Sequence, residues 1–232
     1  MVLLGLPPAF DGLRLVQLSD IHHRLYLSLP KVEQAVEAAN RLAPQVVALT
    51  GDCVTFSPDY VRPVARVLGR LQAPLGVFAV LGNHDYRAGA DFVSGELGRH
   101  GIQVLRNSHT AIRLQDQTLW LAGVDDLWHS CDLGRAARGL PHQGPKILLC
   151  HNPAIIREAA RYGFDLVLSG HTHGGQVRLP VLKHLYRTTR LGTGWFRLHH
   201  TQIYVNRGLG QVVVPLRLGC PPEIALFELR AR

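Results

Sequence analysis

Polar residues that are able to bind metal ions cluster at five points along this sequence. The clusters are rich in aspartate, histidine and asparagine, and each follows a short apolar run. They read Ser19-Asp20-Ile21-His22, Thr50-Gly51-Asp52, Gly82-Asn83-His84-Asp85, Cys150-His151-Asn152 and Ser169-Gly170-His171-Thr172-His173. Carboxylate, imidazole and carboxamide donors without thiolates suit Mn, Fe or Zn, and they argue against a sulfur-rich structural zinc site. Together the clusters supply enough donors for two divalent cations.

Each cluster taken alone has an ordinary structural explanation. An aspartate after a strand, such as Asp20 or Asp52, is commonly a turn former or a helix cap. A lone histidine such as His151 is commonly a buried, hydrogen-bonded polar group. The pair His171 and His173 is more specific, because residues two apart in an extended segment point the same way. Recurrence at five strand ends therefore favours metal binding over five unrelated turns.

The segments between the clusters alternate between strand and helix patterns. Strands that lead into the clusters are predicted over 13–19, 45–50, 76–81, 146–150 and 165–169, and helices over 31–42, 59–71, 90–100 and 153–162. A hairpin is predicted from 110–114 and 118–124, and further strands over 202–206, 212–214 and 223–229. In open α/β sheets the carboxyl ends of separate strands converge on ligands, which would bring the clusters together.

Composition narrows the class of protein. The chain has 232 residues, of which 47% are hydrophobic and 18% charged, which excludes a disordered or collagen-like chain. We find no repeat or linker, and we predict one α/β domain over residues 1–232, with its core at about 13–229. No apolar run approaches the ~20 residues of a membrane span, and the start lacks a basic region typical of signal peptides. Four cysteines without a C-x-x-C pair favour reduced thiols, so we predict a cytoplasmic location.

The formal charge of +8 comes almost entirely from arginine. Arginine suits phosphate recognition, so phosphorylated substrates, nucleic acid and an acidic membrane face are all candidate partners. A solvated basic surface is the alternative explanation. The sequence does not indicate which oligomeric state the protein adopts.

The five motifs, in this order, resemble those of the calcineurin-like metallophosphoesterases. They read D-x-H, G-D, G-N-H-D, a single H and G-H-T-H, and the resemblance spans Leu13 to about Leu229. Gly170–Pro180 and the tail around Arg207–Gly210 are similar to a bacterial branch that includes phosphodiesterases and UDP-2,3-diacylglucosamine pyrophosphatases. The resemblance implies a sandwich of two mixed β-sheets flanked by helices.

The resemblance also implies a role for each motif residue. One metal would be held by Asp20, His22 and His173, and the other by Asn83, His151 and His171. Asp52 would bridge the two, which suits an anionic carboxylate between two cations that repel each other. His84 would lie beside the scissile phosphate, and Asp85 would orient it.

These residues predict a hydrolase that cleaves phosphodiester or pyrophosphate bonds by in-line attack of a hydroxide held by two metals. His84 would stabilise the transition state or protonate the leaving oxygen. A nuclease of the same superfamily is an alternative, but nucleic acid is the less favoured partner because no basic tail or second domain follows Leu229. A catalytically silent scaffold is the other alternative, and the presence of all seven candidate ligands argues against it.

Two further features carry open interpretations. Residues 177–200 mix Trp195, Phe196 and several leucines with arginines, which fits either a packed loop or a rim that contacts an acyl chain or an anionic membrane surface. Asp125 and Asp126 follow a predicted strand, where they would orient a ligand histidine or cap the turn before Leu127.

Overall fold

Strands and helices alternate along the chain in the computed structural model, which describes residues 1–24, 28–176, 191–212 and 216–231. The strands within these residues are β1 Arg14–Leu18, β2 Val46–Thr50, β3 Val77–Val80, β4 Ile102–Val104, β5 Ser108–Leu114, β6 Gln117–Gly123, β7 Lys146–Leu149, β8 Leu166–Ser169, β9 Gly194–Leu198, β10 Thr201–Val205 and β11 Ala225–Glu228. The α-helices are α1 Leu29–Arg41, α2 Val61–Leu68, α3 Asn83–Arg99, α4 Leu133–Ala137 and α5 Ile156–Arg161.

The strands form two mixed sheets. One sheet has the order β11-β1-β2-β3-β4 and the other β5-β6-β7-β8-β10-β9. In the first sheet β1 to β4 are parallel and β11 is antiparallel to β1. In the second, β6, β7, β8 and β10 are parallel, with β5 and β9 antiparallel at the two edges. This is the predicted sandwich of two mixed sheets in one domain.

The sheets pack face to face and helices cover their outer faces. Strand β2 shows the reason, since all five of its residues are buried. Val46 and Ala48 contact the opposite sheet, whereas Val47 and Leu49 belong to the cluster beneath α1, α2 and α3. A strand that is buried on both faces must be apolar throughout, which is why parallel strands lack polar alternation. Helices α4 and α5 cover the second sheet in the same way.

Most of the predicted elements are confirmed, and the differences have local causes. Strands β4 and β9 and helix α4 were not predicted, because three to five residues give little periodicity. The helix predicted over 90–100 begins earlier, at Asn83, and bends at Gly89, whose φ is +104°. The strand predicted over 212–214 lies, beyond Val212, outside the described residues. Among the described residues, every helix is too short or too polar to cross a bilayer.

The ends of the parallel strands from both sheets meet at one edge of the sandwich. Gln17 in β1 joins the sheets there, since its buried amide donates to the Thr50 hydroxyl at 2.8 Å and to the Ser169 carbonyl at 3.0 Å. The backbone beyond the strands continues this pairing, with the Asp20 N–H donating to the Gly51 carbonyl at 3.0 Å. The edge therefore holds the segments that follow β1, β2 and β8 in fixed positions.

The bend in α3 yields a test of the fold with a matched control in the same helix. We expect Gly89→Ala to lower the free energy of unfolding by about 1–2 kcal/mol, because a side chain strains a residue whose φ is positive. Gly95 is exposed with open space around it, so Gly95→Ala should raise stability by about 0.5–1 kcal/mol. Urea unfolding measures both, and equal effects of the two substitutions would contradict the bend.

Candidate metal centre

All seven residues predicted as metal ligands come together at the shared edge of the two sheets. Six of them are buried and His171 is half-buried. The side chains come from segments that follow five different strands: Asp20 and His22 after β1, Asp52 after β2, Asn83 after β3, His151 after β7, and His171 and His173 after β8. Convergence of the predicted ligands is therefore observed in the geometry.

Several non-glycine residues at this edge have a positive φ, a strained conformation that is uncommon for residues with a Cβ. Five of the predicted ligands have left-handed φ angles: +48° at Asp20, +48° at His22, +57° at Asp52, +71° at His171 and +50° at His173. Such conformations cost about 1–3 kcal/mol each and persist where surrounding contacts over-determine them, often at functional sites. The segments therefore curl sharply as they leave their strands, which turns the side chains towards one another.

Two glycines allow the segments to approach this closely. A Cβ at Gly82 would collide with the carboxylate and backbone N–H of Asp52, and a Cβ at Gly170 would collide with Ser19 and with the carboxylate of Asp20. Gly170 directly follows the buried strand β8, and Gly82 lies two residues after the end of the buried strand β3. Glycine is required at each because the neighbouring cluster occupies the space of a side chain.

One group of donors surrounds Asp20. Its Oδ1 lies 3.4 Å from Nε2 of His173 and 3.9 Å from Nε2 of His22, and these two ring nitrogens are 3.0 Å apart. Asp20 also accepts the Ser19 hydroxyl at 2.6 Å and the His171 N–H at 3.0 Å. The carboxylate is thus anchored with two imidazole nitrogens facing it.

A second group surrounds Asp52 and connects to the first. Its Oδ2 lies 3.2 Å from Nε2 of His151 and 3.3 Å from Nε2 of His22. Nε2 of His151 is in turn 3.1 Å from Nδ1 of His171. Asp52 therefore stands between a histidine of each predicted set, in the position expected of a shared ligand.

The donor arrangement fits divalent cations. The buried Oδ1 of Asn83 has no hydrogen-bond partner, although buried polar atoms are normally paired. Nδ1 of His151 donates to the Thr50 carbonyl at 2.8 Å, which leaves Nε2 as the ring nitrogen that faces Asp52 and His171. A cation bound between the facing histidine nitrogens and the Asn83 oxygen would give each of these atoms a partner. The described residues contain Asp–His groups of the kind that bind a dinuclear centre.

The pKa shifts favour the protonation states that a metal ligand needs. Burial, with a contribution from His173, lowers the pKa of His22 to about 3, and burial beside His151 lowers the pKa of His171 to about 4. Burial alone would raise the pKa values of Asp20 and Asp52, but the surrounding histidines outweigh it and lower both. The carboxylates are therefore anionic and these two imidazoles neutral.

His151 shows the opposite shift. Burial lowers its pKa, but the adjacent Asp52 and Asp20 outweigh that effect and raise it to about 10. Its added proton lies on the Nε2 side, 3.2 Å from Asp52, because Nδ1 already donates to a carbonyl. A cation bound to Asp52 and His151 would replace that proton.

The structure corrects the prediction that Asp85 orients His84. Nδ1 of His84 donates to the Thr55 carbonyl at 2.7 Å, so this carbonyl orients the ring. Asp85 is buried at the start of α3 and accepts the backbone N–H groups of Asp52, Cys53, Val54 and Gly82. It therefore fixes the loop that carries Asp52. Burial and Asp52 raise its pKa to about 7, against the effect of these donors.

His84 itself lies beside the cluster of candidate ligands. Its ring contacts that of His22 edge to face, with centroids 4.8 Å apart. Its backbone N–H donates to Oδ1 of Asp52 at 2.9 Å. Nε2 is the ring nitrogen left for a substrate, because Nδ1 is bound to the Thr55 carbonyl.

Several residues of the site were not identified from the sequence. Thr50 and Thr55 act through backbone carbonyls, which carry no residue-type signal. The ring of Phe56 contacts that of His84, and the ring of Trp128 contacts that of His171. The only indication of these two residues in the sequence was that each follows an aspartate at the end of a strand. Asp126 accepts the N–H of Trp128 at 3.0 Å, which supports the capping interpretation of that residue.

Comparison with known proteins agrees with the site. The sequence model of the calcineurin-like phosphoesterases matches residues 13–175, well over half of the chain. The chain belongs to the calcineurin-like phosphoesterase family. Family membership places the chain among the metallophosphoesterases by sequence and by fold.

Individual relatives span most of the chain. It is 35% identical over 240 residues to a transmembrane protein with metallophosphoesterase domain from Danio rerio, covering 97% of this chain and 55% of that protein. It therefore spans about half the length of that relative. It is 30% identical over 224 residues to phosphodiesterase YaeI of Escherichia coli (strain K12), covering 93% of this chain and 82% of the relative.

A solved structure shares the fold. A novel archaeal phosphodiesterase aligns with a TM-score of 0.54 at 15% sequence identity, covering 93% of each chain. At this identity the likeness shows the architecture of two packed sheets, and the ligand positions are argued from the geometry above.

Asn83 provides a direct test of metal binding. We expect Asn83→Leu to lose one cation, so that bound metal falls to about half of the wild-type content after reconstitution with Mn²⁺ and dialysis. Elemental analysis measures the content. Asn152→Ala is the matched control, since the Asn152 side chain accepts the Ala154 N–H at 3.0 Å and should not affect the metal. Full metal content in Asn83→Leu would remove Asn83 from the ligand set.

Proposed function

We propose that this chain hydrolyses phosphodiester or pyrophosphate bonds with the help of two divalent cations. The observation that carries the proposal is the confrontation of histidine nitrogens, His151 with His171 and His22 with His173, around the two carboxylates. The buried Oδ1 of Asn83, which has no hydrogen-bond partner, supports it. The likeness to phosphodiesterase YaeI supports diesters over monoesters. Mn, Fe and Zn all suit these ligands.

The proposed ligands divide into two sets that share Asp52. Asp20, His22 and His173 would hold one cation, and Asn83, His151 and His171 the other. When bound, the cations lower the pKa of the attacking water and offset charge on the phosphoryl oxygens. The Thr50 carbonyl contributes by keeping Nε2 of His151 directed at Asp52.

His84 is the residue we assign to proton movement. The Thr55 carbonyl holds one proton on Nδ1, so Nε2 carries a proton only in the imidazolium form of the ring. In that form Nε2 gives its proton to the leaving oxygen, or donates a hydrogen bond to the phosphoryl group. An alkyl or sugar alkoxide is a poor leaving group, and protonation therefore matters most for esters of such alcohols.

The finer proposal concerns lipid-linked substrates such as UDP-2,3-diacylglucosamine and contact of residues 177–200 with an anionic membrane. The mixed apolar and basic composition of this segment supports it. Residues 177–190 lie outside the described residues. In β9, Trp195 is 46% exposed and contacts Tyr204 and Phe227, whereas Phe196 packs against the cluster beneath α5. Trp195 is therefore the residue of this pair that suits a lipid contact.

A substrate panel tests the proposed function. We expect chelated protein to be inactive and Mn²⁺ or Zn²⁺ to restore hydrolysis of bis(p-nitrophenyl) phosphate and of pyrophosphate-linked substrates, with p-nitrophenyl phosphate turned over more slowly. UDP-2,3-diacylglucosamine and single-stranded DNA complete the panel. Steeply salt-dependent cleavage of DNA in preference to all other substrates would favour a nuclease. Tight metal binding without turnover of any substrate would favour a scaffold.

His84→Ala tests the assigned proton donor. We expect kcat for alkyl diesters to fall roughly 10²–10⁴-fold, as for loss of a positioned acid, while metal content stays at the wild-type level. For diesters with a p-nitrophenolate leaving group the loss should be smaller, since that group leaves without protonation. An equal loss on both kinds of ester would contradict the role as acid.

A further inference from the structure

Two large aromatic side chains stand exposed against histidines of the metal centre. Trp128 is 62% exposed and Phe56 is 55% exposed. The Trp128 ring meets that of His171 edge to face at 4.7 Å between centroids, and the Phe56 ring lies 4.9 Å from that of His84. Each ring therefore borders the centre at a different histidine.

The loop that presents Trp128 is firmly held although its side chain is exposed. Asp126 is buried and accepts both the Trp128 N–H and Nδ1 of His129 at 3.0 Å. The His129 ring stacks on Tyr86 at 4.2 Å, and the Tyr86 hydroxyl bonds to that of Ser130 at 2.7 Å. An exposed indole on a fixed backbone loses little freedom when it binds a ligand, which is the property of a preorganised contact.

The loop that presents Phe56 is held in a similar way and has a cation beside it. Its neighbour Thr55 receives the His84 hydrogen bond at 2.7 Å. The Arg87 guanidinium lies 5.7 Å from the Phe56 ring centroid. An aromatic face next to an arginine suits a ligand that is both planar and anionic.

The surroundings of both rings are polar. Trp128 is followed by exposed His129 and Ser130, and Phe56 lies between Thr55 and Ser57. A site for an acyl chain would need a continuous apolar groove, whereas single rings in polar surroundings suit stacking with a planar group.

We propose that Trp128 and Phe56 are specificity-determining residues that bind the planar ring of a nucleoside-bearing phosphodiester or pyrophosphate substrate. This rests on the proposed function, since it places the rings beside the phosphate that the metal centre would bind. The two histidine contacts put Trp128 on the His171 side and Phe56 on the His84 side. A nucleoside on the leaving group would meet Phe56, and one on the retained phosphate would meet Trp128.

Binding of two matched phosphates to the Mn²⁺-loaded protein tests the proposal without requiring turnover. Uridine monophosphate and ribose 5-phosphate share the sugar phosphate and differ by the base. We expect wild type to prefer uridine monophosphate by about 5- to 150-fold in calorimetry. Trp128→Ala or Phe56→Ala should reduce this preference severalfold with ribose 5-phosphate affinity unchanged, and Trp128→Phe should keep most of it. Tyr162→Ala is the matched control, since Tyr162 is an exposed aromatic residue at the end of α5, and it should behave as wild type.

Several outcomes would overturn the proposal. The first is equal affinity of the wild type for uridine monophosphate and ribose 5-phosphate. The second is an equal loss of affinity for these two phosphates in Trp128→Ala and in Phe56→Ala. The third is a full preference for uridine monophosphate in Trp128→Leu, whose new side chain is apolar but has no ring. Octyl phosphate tests the competing class of ligand, an acyl chain. If the alanine variants lose more affinity for octyl phosphate than for uridine monophosphate, the two rings bind acyl chains instead. A base preference in a protein that cleaves no diester would instead count against the proposed function alone.

Discussion

The structure of this edge depends on the cost of burying two carboxylates among four histidines. Asp20 and Asp52 are almost inaccessible to water, and the imidazoles around them have their pKa values displaced in opposite directions. Buried charge is tolerated only where it is paired and hydrogen-bonded. Each carboxylate here has N–H donors on one side and imidazole nitrogens on the other, an arrangement that the two proposed cations would complete.

Asp52 is the residue on which most of this arrangement converges. One carboxylate oxygen accepts the His84 N–H, the other faces His22 and His151, and its own N–H is held by Asp85. The buried Asp85 thus transmits the position of α3 to the loop after β2. The same contacts that fix Asp52 also fix the start of the helix that carries Asn83 and His84, so the proposed metal site and the proposed proton donor would be positioned together.

The strained backbone is explained by the sandwich beneath it. Left-handed residues at five of the ligands would relax if their segments were free, but each segment leaves a strand that is buried on both faces. The apolar layers therefore supply the stability that holds strained, polar loops at their edge. The exposed ring of Phe56 lies on the loop after β2 that also carries Asp52, so the proposed substrate contact at Phe56 would share the rigidity of that loop. Trp128 lies on a separate loop, after β6, which is held by Asp126.

The convergence of the candidate ligands could be predicted from the sequence because polar clusters after apolar strands are visible in residue order, and five clusters agreed with one family pattern. Strand and helix periodicity predicted an α/β domain, and the family resemblance implied that its strands form two mixed sheets. The roles of Asp85, Thr55 and Trp128 could not be predicted. Asp85 faces the backbone of a loop more than thirty positions away in the chain, and Thr55 contributes a carbonyl that every residue possesses. Residue types thus determined which donors were available, and the packing of distant segments decided what each one contacts.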